Sequence, residues 1–316
     1  MTTWLVTGAS GFVGSFVCRA LLEQGIAVRA PVRAPGVSVP GGVVSVLSGD
    51  LTRFEDWQYL LDGVDVVVNL AGQAHDRGPR RSRAARLEAI NARFPATLAR
   101  RAAEAGVRRI VHLSSIKAMT GAERAKRLQE ADEPHPDDDY GRSKLAGEQQ
   151  LRQAALGSGI EWCIIRPTVI YGENPPGYIG LMLRAMARGL PMPLGAIRNQ
   201  RSLLDARALA DLIHLTGTHP DAANHLFLAA DAEPLPTPDM VRALASGLGR
   251  PARCWPLPTG LLRAGLMLSG RGGWWPRLAG DLSVDVSRAR GLGWSPSRDS
   301  RVGLERVARA WGQASD

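Results

Sequence analysis

The stretch TWLVTGASGFVGSFVCRALLEQG, residues 3–25, most constrains what this chain can fold into. A short apolar run over 4–7 stops at Gly8, Gly11 and Gly14 and resumes as an amphipathic pattern over 11–24. A residue without Cβ lets the chain turn sharply and lets a ligand or a helix approach the main chain. Strand, glycine turn and helix in that order make a dinucleotide site, spaced here as GASGFVG (GxxGxxG) in place of GxGxxG. A pyrophosphate would rest on the backbone N–H groups and the positive end of a helix beginning near Phe12. A purely structural tight turn uses glycine in the same way, so the assignment needs support from elsewhere.

Through the first half, strand-like apolar runs alternate with helix-like segments, the pattern of a parallel sheet covered on both faces. Strands are predicted over 4–7, 27–32, 43–47, 65–70, 109–114 and 161–166, and helices over 11–24, 86–105 and 140–156. Right-handed crossovers make this an α/β doubly wound parallel (Rossmann) sheet with its ligand crevice at the carboxyl ends of the strands. With 316 residues, a main domain with a smaller companion is expected. Past Tyr171, proline and glycine punctuate short elements in NPPGYIG, GLPMPLG and EPLPTPD. Residues 1–170 are therefore assigned to the NAD(P)-binding domain and 171–316 mainly to a substrate region, with about 196–215 returning to the first domain.

The 45% hydrophobic and 22% charged content is that of a soluble globular chain. A net charge of +9 would suit an anionic partner, but the basic residues are nearly all Arg and are dispersed from Arg19 to Arg309. No nucleic-acid partner is expected from that distribution. The densest group, RGPRRSRAAR over 77–86, reads as a solvated helix face and the loop before it, or as a phosphate or partner site. The acidic run 137–139 reads as a solvated loop, and the six histidines have no ligand spacing, so no metal is expected. Cys18, Cys163 and Cys254 are odd in number and far apart, which suggests neither disulfides nor zinc and fits a cytoplasmic protein. No leader pattern is present at the start. The most membrane-like stretch, 255–276, is broken by Arg263 and Arg271 and is too short to span, so no integral membrane segment is expected. Packing within a small domain and peripheral membrane contact are its two readings.

At the end of the second strand, where an acidic side chain would bind the adenosine ribose diol, the sequence reads PVRAP. Arg33 pairs there with a 2′-phosphate, which favours NADP(H), with NAD(H) possible. Candidate chemistry lies in LSSIK, with Ser114 and Ser115 after the fifth strand, and in YGRSK, with Tyr140 and Lys144 one helical turn apart. A Lys ammonium on the same helix face favours phenolate, so a phenol that normally titrates near 10 works as an acid or base closer to neutrality. A serine would hydrogen-bond the reacting oxygen.

Together the glycine turn, the serine after the fifth strand and YxxxK on the next helix resemble the extended short-chain dehydrogenase/reductase family, in its nucleotide-sugar epimerase/dehydratase branch. The resemblance runs through TGASGFVG, GDL at 49–51, NLAG at 69–72, LSS, YGRSK and RPTVIYG at 166–172. It implies that Gly8, Gly11, Phe12, Val13 and Gly14 line the pyrophosphate, Asp50 and Leu51 the adenine, and Ala71 and Gly72 the ribose side. It makes Tyr140 the catalytic acid/base and Lys144 the residue that holds the nicotinamide ribose, with Pro167 beside the nicotinamide. Ser115 is the catalytic serine on this pattern, with Ser114 the alternative.

The segment 189–213 looks like the substrate region of bacterial UDP-sugar 4-reductases and 4-epimerases of surface-polysaccharide pathways. In that reading Arg201, supported by Arg198, clamps a UDP diphosphate, and Asn174 and Ser115 also contact substrate. The implied activity is NADPH-dependent reduction of the C4 keto group of a UDP-linked 4-keto-6-deoxy N-acetyl sugar, of the UDP-N-acetylquinovosamine type. Ile116 and Lys117 stand where a dehydratase would carry an Asp-Glu pair, which argues against water elimination. The alternatives are a UDP-hexose 4-epimerase with bound NAD and a non-catalytic dinucleotide-binding partner. A homodimer paired through the helices 86–105 and 140–156 is implied as well.

Overall fold

A computed structural model of the chain describes residues 2–74 and 80–313. In chain order its strands are β1 (Thr3–Thr7), β2 (Ala27–Val32), β3 (Val44–Leu47), β4 (Val66–Asn69), β5 (Arg109–Leu113), β6 (Arg124–Leu128), β7 (Glu161–Pro167), β8 (Val169–Tyr171), β9 (Leu203–Asp205), β10 (His225–Ala229) and β11 (Leu282–Val284). Seven of them form one sheet in the order β3-β2-β1-β4-β5-β7-β10, with every pair parallel. The chain leaves β1 toward β2 and β3, then returns to build β4, β5, β7 and β10 on the other side. The carboxyl ends of β1 and β4 therefore flank the topological switch point, where such sheets bind ligands.

Parallel strands covered on both faces need apolar side chains pointing both ways, and Val66, Val67 and Val68 in β4 are all fully buried. One face is closed by the helices Phe12–Glu23 and Ala206–Thr218, which share a core with Trp4, Val28, Val111 and Ile164. On the opposite face Trp57, Phe94, Leu98 and Leu151 pack over Leu5, Val67 and Ile110. A separate core gathers Tyr171, Leu183, Leu203, Leu244 and Leu304, from β8, β9 and the helices Gly177–Ala187, Thr237–Gly247 and Ser300–Gln313. Asp231 ties this region to the sheet by accepting hydrogen bonds from Tyr171 Oη and Ser300 Oγ, each 2.7 Å long.

Two expectations are corrected. More of the chain returns to the sheet than 196–215, because β10 supplies its seventh strand beside β7. The apolar run LFLA is short enough to be absorbed into the proline-rich surroundings when read in sequence. The single helix expected over 86–105 is three pieces: an α-helix Arg80–Leu87, a π-helical segment Glu88–Arg93 and an α-helix Phe94–Glu104. Wider turns of this kind re-aim a side chain. Here the segment carries Asn91, whose buried side chain turns inward to hold another part of the backbone.

Candidate functional site

At the glycine turn Gly8 has φ of +71°, and Gly11 precedes the helix Phe12–Glu23 without any side-chain cap. The first N–H groups of that helix are thus left for a ligand. A Cβ on Gly14 would stand 2.2 Å from the Gly8 carbonyl oxygen and 2.7 Å from Ala9 Cα, so the helix start can lie against the turn only as glycine. Gly14→Ala should lower the folding free energy by about 1–3 kcal/mol, because backbone rather than a flexible side chain must move. A urea titration reads this, and an unchanged midpoint would contradict the close approach.

Across the switch point, Thr7 Oγ1 donates to Asn69 Oδ1 (2.8 Å) and accepts from the Ala71 N–H (3.1 Å). Asn69 Nδ2 reaches His112 Nδ1 at 3.1 Å. This buried chain sets the backbone at Ala71 and Gly72. His112 is held neutral by burial first and by the Lys144 charge second. Asn91 adds a second brace by accepting from Gln73 N (2.9 Å) and donating to Gln73 O and Ser143 Oγ, both at 3.0 Å. None of Thr7, Asn69, Asn91 or His112 was singled out from sequence, although Asn69 stands in the NLAG motif.

Arg33 is exposed just past the end of β2 and faces Asp50. Asp50 caps the short turn Leu51–Arg53 by accepting from Thr52 N at 3.0 Å. That bond, the Thr52 hydroxyl and then the Arg33 charge hold its carboxyl below the usual range. Pro167, buried, closes β7, whereas Asn174 and Arg198 are exposed, Asn174 with φ of +54°.

The two serines differ sharply. Ser114 is buried and its hydroxyl donates to Glu148 Oε1, which also accepts from Arg166 Nε (2.9 Å), while Arg166 Nη2 meets Glu148 Oε2 at 2.7 Å. Ser115 is half-buried, accepts from the Lys117 N–H (3.1 Å) and lies near enough to the Tyr140 phenol to oppose the rise in its pKa. The helix Asp139–Ala155 that carries Tyr140 starts at Asp138, whose Oδ1 accepts from Gly141 N at 2.7 Å. Glu148 lies on this helix one turn beyond Lys144, a spacing that shares a face and was available in the sequence.

Lys144 is 4% exposed, with Nζ donating to Leu113 O at 2.9 Å and lying 3.1 Å from where a Gly72 Cβ would be. The expectation that Lys144 draws the phenol toward neutrality is corrected. Burial pushes the Tyr140 phenol up, the Ser115 hydrogen bond opposes this, and the Asp138 charge adds to the rise. Desolvation lowers Lys144 itself from 10.5 to about 8, against the Glu148 charge, which raises it. Between those two values the unfolded chain holds the proton and the folded chain releases it, so this group destabilises the fold most below pH 8. Raising the pH from 7 to 10 should stabilise the protein relative to Lys144→Met by an amount of order 2–3 kcal/mol. Parallel urea curves for the two proteins would contradict the buried ammonium.

Arg201 is 3% exposed and built into the framework. Its Nη1 donates to the carbonyls of Ala122 (3.0 Å), Pro276 (3.2 Å) and Gly280 (2.8 Å), and Tyr178 Oη is a further partner. Only its Nε is a buried donor without a partner. The diphosphate clamp expected of Arg201 from sequence is not what this side chain forms, because burial demands that its donors be satisfied by nearby carbonyls. The Arg-rich group over 77–86 lies in part outside the described residues. No helix among the described residues is long and apolar enough to cross a membrane.

The model of the NAD dependent epimerase/dehydratase family matches residues 4–229. A Vibrio cholerae protein described as UDP-glucose 4-epimerase is 34% identical over 317 residues, covering 99% of this chain and 96% of that protein. A dTDP-6-deoxy-L-talose 4-dehydrogenase (NAD(P)(+)) of Kitasatospora kifunensis is 29% identical, covering 97% of this chain and 93% of its own length. Among solved structures, MoeE5 in complex with UDP-glucose and NAD matches with a TM-score of 0.80 at 23% identity, over 99% of this chain and 100% of that one. The UDP-N-acetylglucosamine 4-epimerase from Bacillus cereus matches with a TM-score of 0.78 at 21% identity, over 98% and 99%. At these identities the structural matches speak for the fold.

Proposed function

The chain belongs to the NAD dependent epimerase/dehydratase family, and from that premise we propose that it reduces the C4 keto group of a UDP-linked 4-keto-6-deoxy N-acetyl sugar with NADPH. The product is of the UDP-N-acetylquinovosamine type. The observation that carries this reading is the proximity of the Ser115 and Tyr140 hydroxyls just beyond the carboxyl end of β5. A protonated phenol is an acid, which a carbonyl reduction needs at its start.

When bound, the nicotinamide cofactor supplies the hydride that reaches the sugar C4 carbon. The glycine turn and the uncapped N–H groups after Gly11 fit its pyrophosphate, with Phe12 and Val13 beside them. Arg33, exposed and without a ribose-binding carboxylate on its own strand, receives the 2′-phosphate. Asp50 and Leu51 border the adenine, Ala71 and Gly72 the ribose side, and Pro167 the nicotinamide. Ser115 donates a hydrogen bond to the C4 oxygen while Tyr140 gives it a proton. Lys144, at the floor beneath Gly72, holds the nicotinamide ribose. Arg198 and Asn174, both exposed, meet the substrate end. A homodimer of this reductase is the assembly we expect.

A second reading, 4-epimerisation of a UDP-hexose with retained NAD, is favoured by the Vibrio cholerae relative. It uses the same residues but needs phenolate first. The test is to incubate the purified protein with UDP-N-acetylglucosamine and with its 4-keto-6-deoxy derivative while following added NADPH by absorbance. Oxidation of NADPH with the keto sugar alone is expected. No oxidation in either case, with interconversion of the hexose epimers, would replace the reductase by the epimerase.

A further inference from the structure

The helix Thr259–Leu268 has no buried residue. Leu262 and Leu266 rest partly on the core of the second region. Leu261 and Leu268 lie on the opposite side of the helix, 63% and 90% exposed. Met267 and, just before the helix, Trp255 are exposed as well. An isolated surface leucine needs no explanation, but apolar side chains lining the outer face of one helix do.

The charge around this face is one-sided. From Met240 to Gly280 the sequence contains no Asp and no Glu, and it carries Arg242, Arg250, Arg253, Arg263, Arg271 and Arg277. Arg242 is ion-paired to Asp239. The other five are exposed, and no carboxylate among the described residues pairs with them. Trp274 and Trp275 follow the helix and are half-buried. Exposed leucines, flanking tryptophans and arginines without a carboxylate partner are what an interfacial helix presents to a negatively charged lipid surface.

We propose that this face docks the protein onto an anionic bilayer, with Thr259–Leu268 lying in the plane of the headgroups. Ten residues of helix reach about 15 Å, half of a hydrocarbon core, so the segment lies on the membrane and does not cross it. Leu261, Met267 and Leu268 enter the acyl boundary, Trp255 sits at headgroup level, and Arg263 and Arg271 meet lipid phosphates. Arg250 and Arg253 donate to the carbonyls of Ala187 and Gly189; the occupant is lipid because Arg263, Arg271 and Arg277 have no carboxylate partner among the described residues and accompany a strip of exposed apolar side chains. Docking is independent of the chemistry at Ser115 and Tyr140, and leaves activity on soluble substrate unchanged.

The experiment is flotation of the full-length protein with phosphatidylcholine vesicles, with and without phosphatidylglycerol, accompanied by tryptophan fluorescence. Co-flotation and a blue shift are expected only with phosphatidylglycerol, and both should vanish near 1 M salt, where the Debye length is about 3 Å. The double change Arg263→Glu with Arg271→Glu should weaken vesicle binding by at least about 25-fold, and Leu261→Ser with Leu268→Ser by about tenfold or more. The comparison of the two vesicle types stands whether or not a variant folds. Absence of binding to either vesicle would overturn the proposal, as would binding that both double variants leave intact. A dimer that dissociates in the leucine variant would assign the face to a second copy of the chain and overturn it as well.

Discussion

Tyr140→Phe is expected to reduce turnover by about 10²–10⁴-fold while leaving NADPH affinity nearly unchanged. The change removes one oxygen from a side chain that the helix Asp139–Ala155 already fixes beside Ser115. The ring's packing and the glycine turn that would carry most of the cofactor are untouched. A purely structural tyrosine would show the reverse pattern, with altered stability and little loss of rate. Steady-state rates with the keto sugar and fluorescence titration with NADPH separate the two, and undiminished turnover would remove Tyr140 from the proton transfer.

Glu148→Ala should have the largest effect on stability, a loss of about 3–5 kcal/mol, because it leaves a buried guanidinium without its counter-charge. Glu148 and Arg166 are 1% and 3% exposed and meet through two hydrogen bonds, so almost no solvent can replace the lost carboxylate. The same change frees the Ser114 hydroxyl and loosens the backbone leading to Ser115. Denaturant midpoints of wild type, Glu148→Ala and Glu148→Gln measure this. A loss below about 1 kcal/mol, the range of surface ion pairs, would show that the pair is not isolated from water.

The central sheet was largely legible because strands covered on both faces carry unbroken apolar runs, as Val66–Val68 and Trp162–Ile165 do. What sequence left out belongs to side chains that act across the fold. The π-helical segment around Asn91 follows from a tertiary need to brace Gln73, and no periodicity announces it. Adjacent Ser114 and Ser115 are equivalent as letters, and only the strand's end geometry turns one toward Glu148 and the other toward Tyr140. The i,i+4 spacing of Tyr140 and Lys144 was visible, but spacing carries no information on burial. Desolvation, which acts on both groups, decides the direction in which each titrates. Arg201 shows the same limit, since a guanidinium that saturates carbonyls and one that grips phosphate are indistinguishable before folding.

A crystal structure with NADP and the UDP-sugar product would measure whether the two hydroxyls converge on one substrate oxygen. The sugar O4 is expected within about 2.6–3.2 Å of both Tyr140 Oη and Ser115 Oγ. An O4 out of reach of either hydroxyl, or a sugar bound away from the carboxyl edge of the sheet, would contradict it.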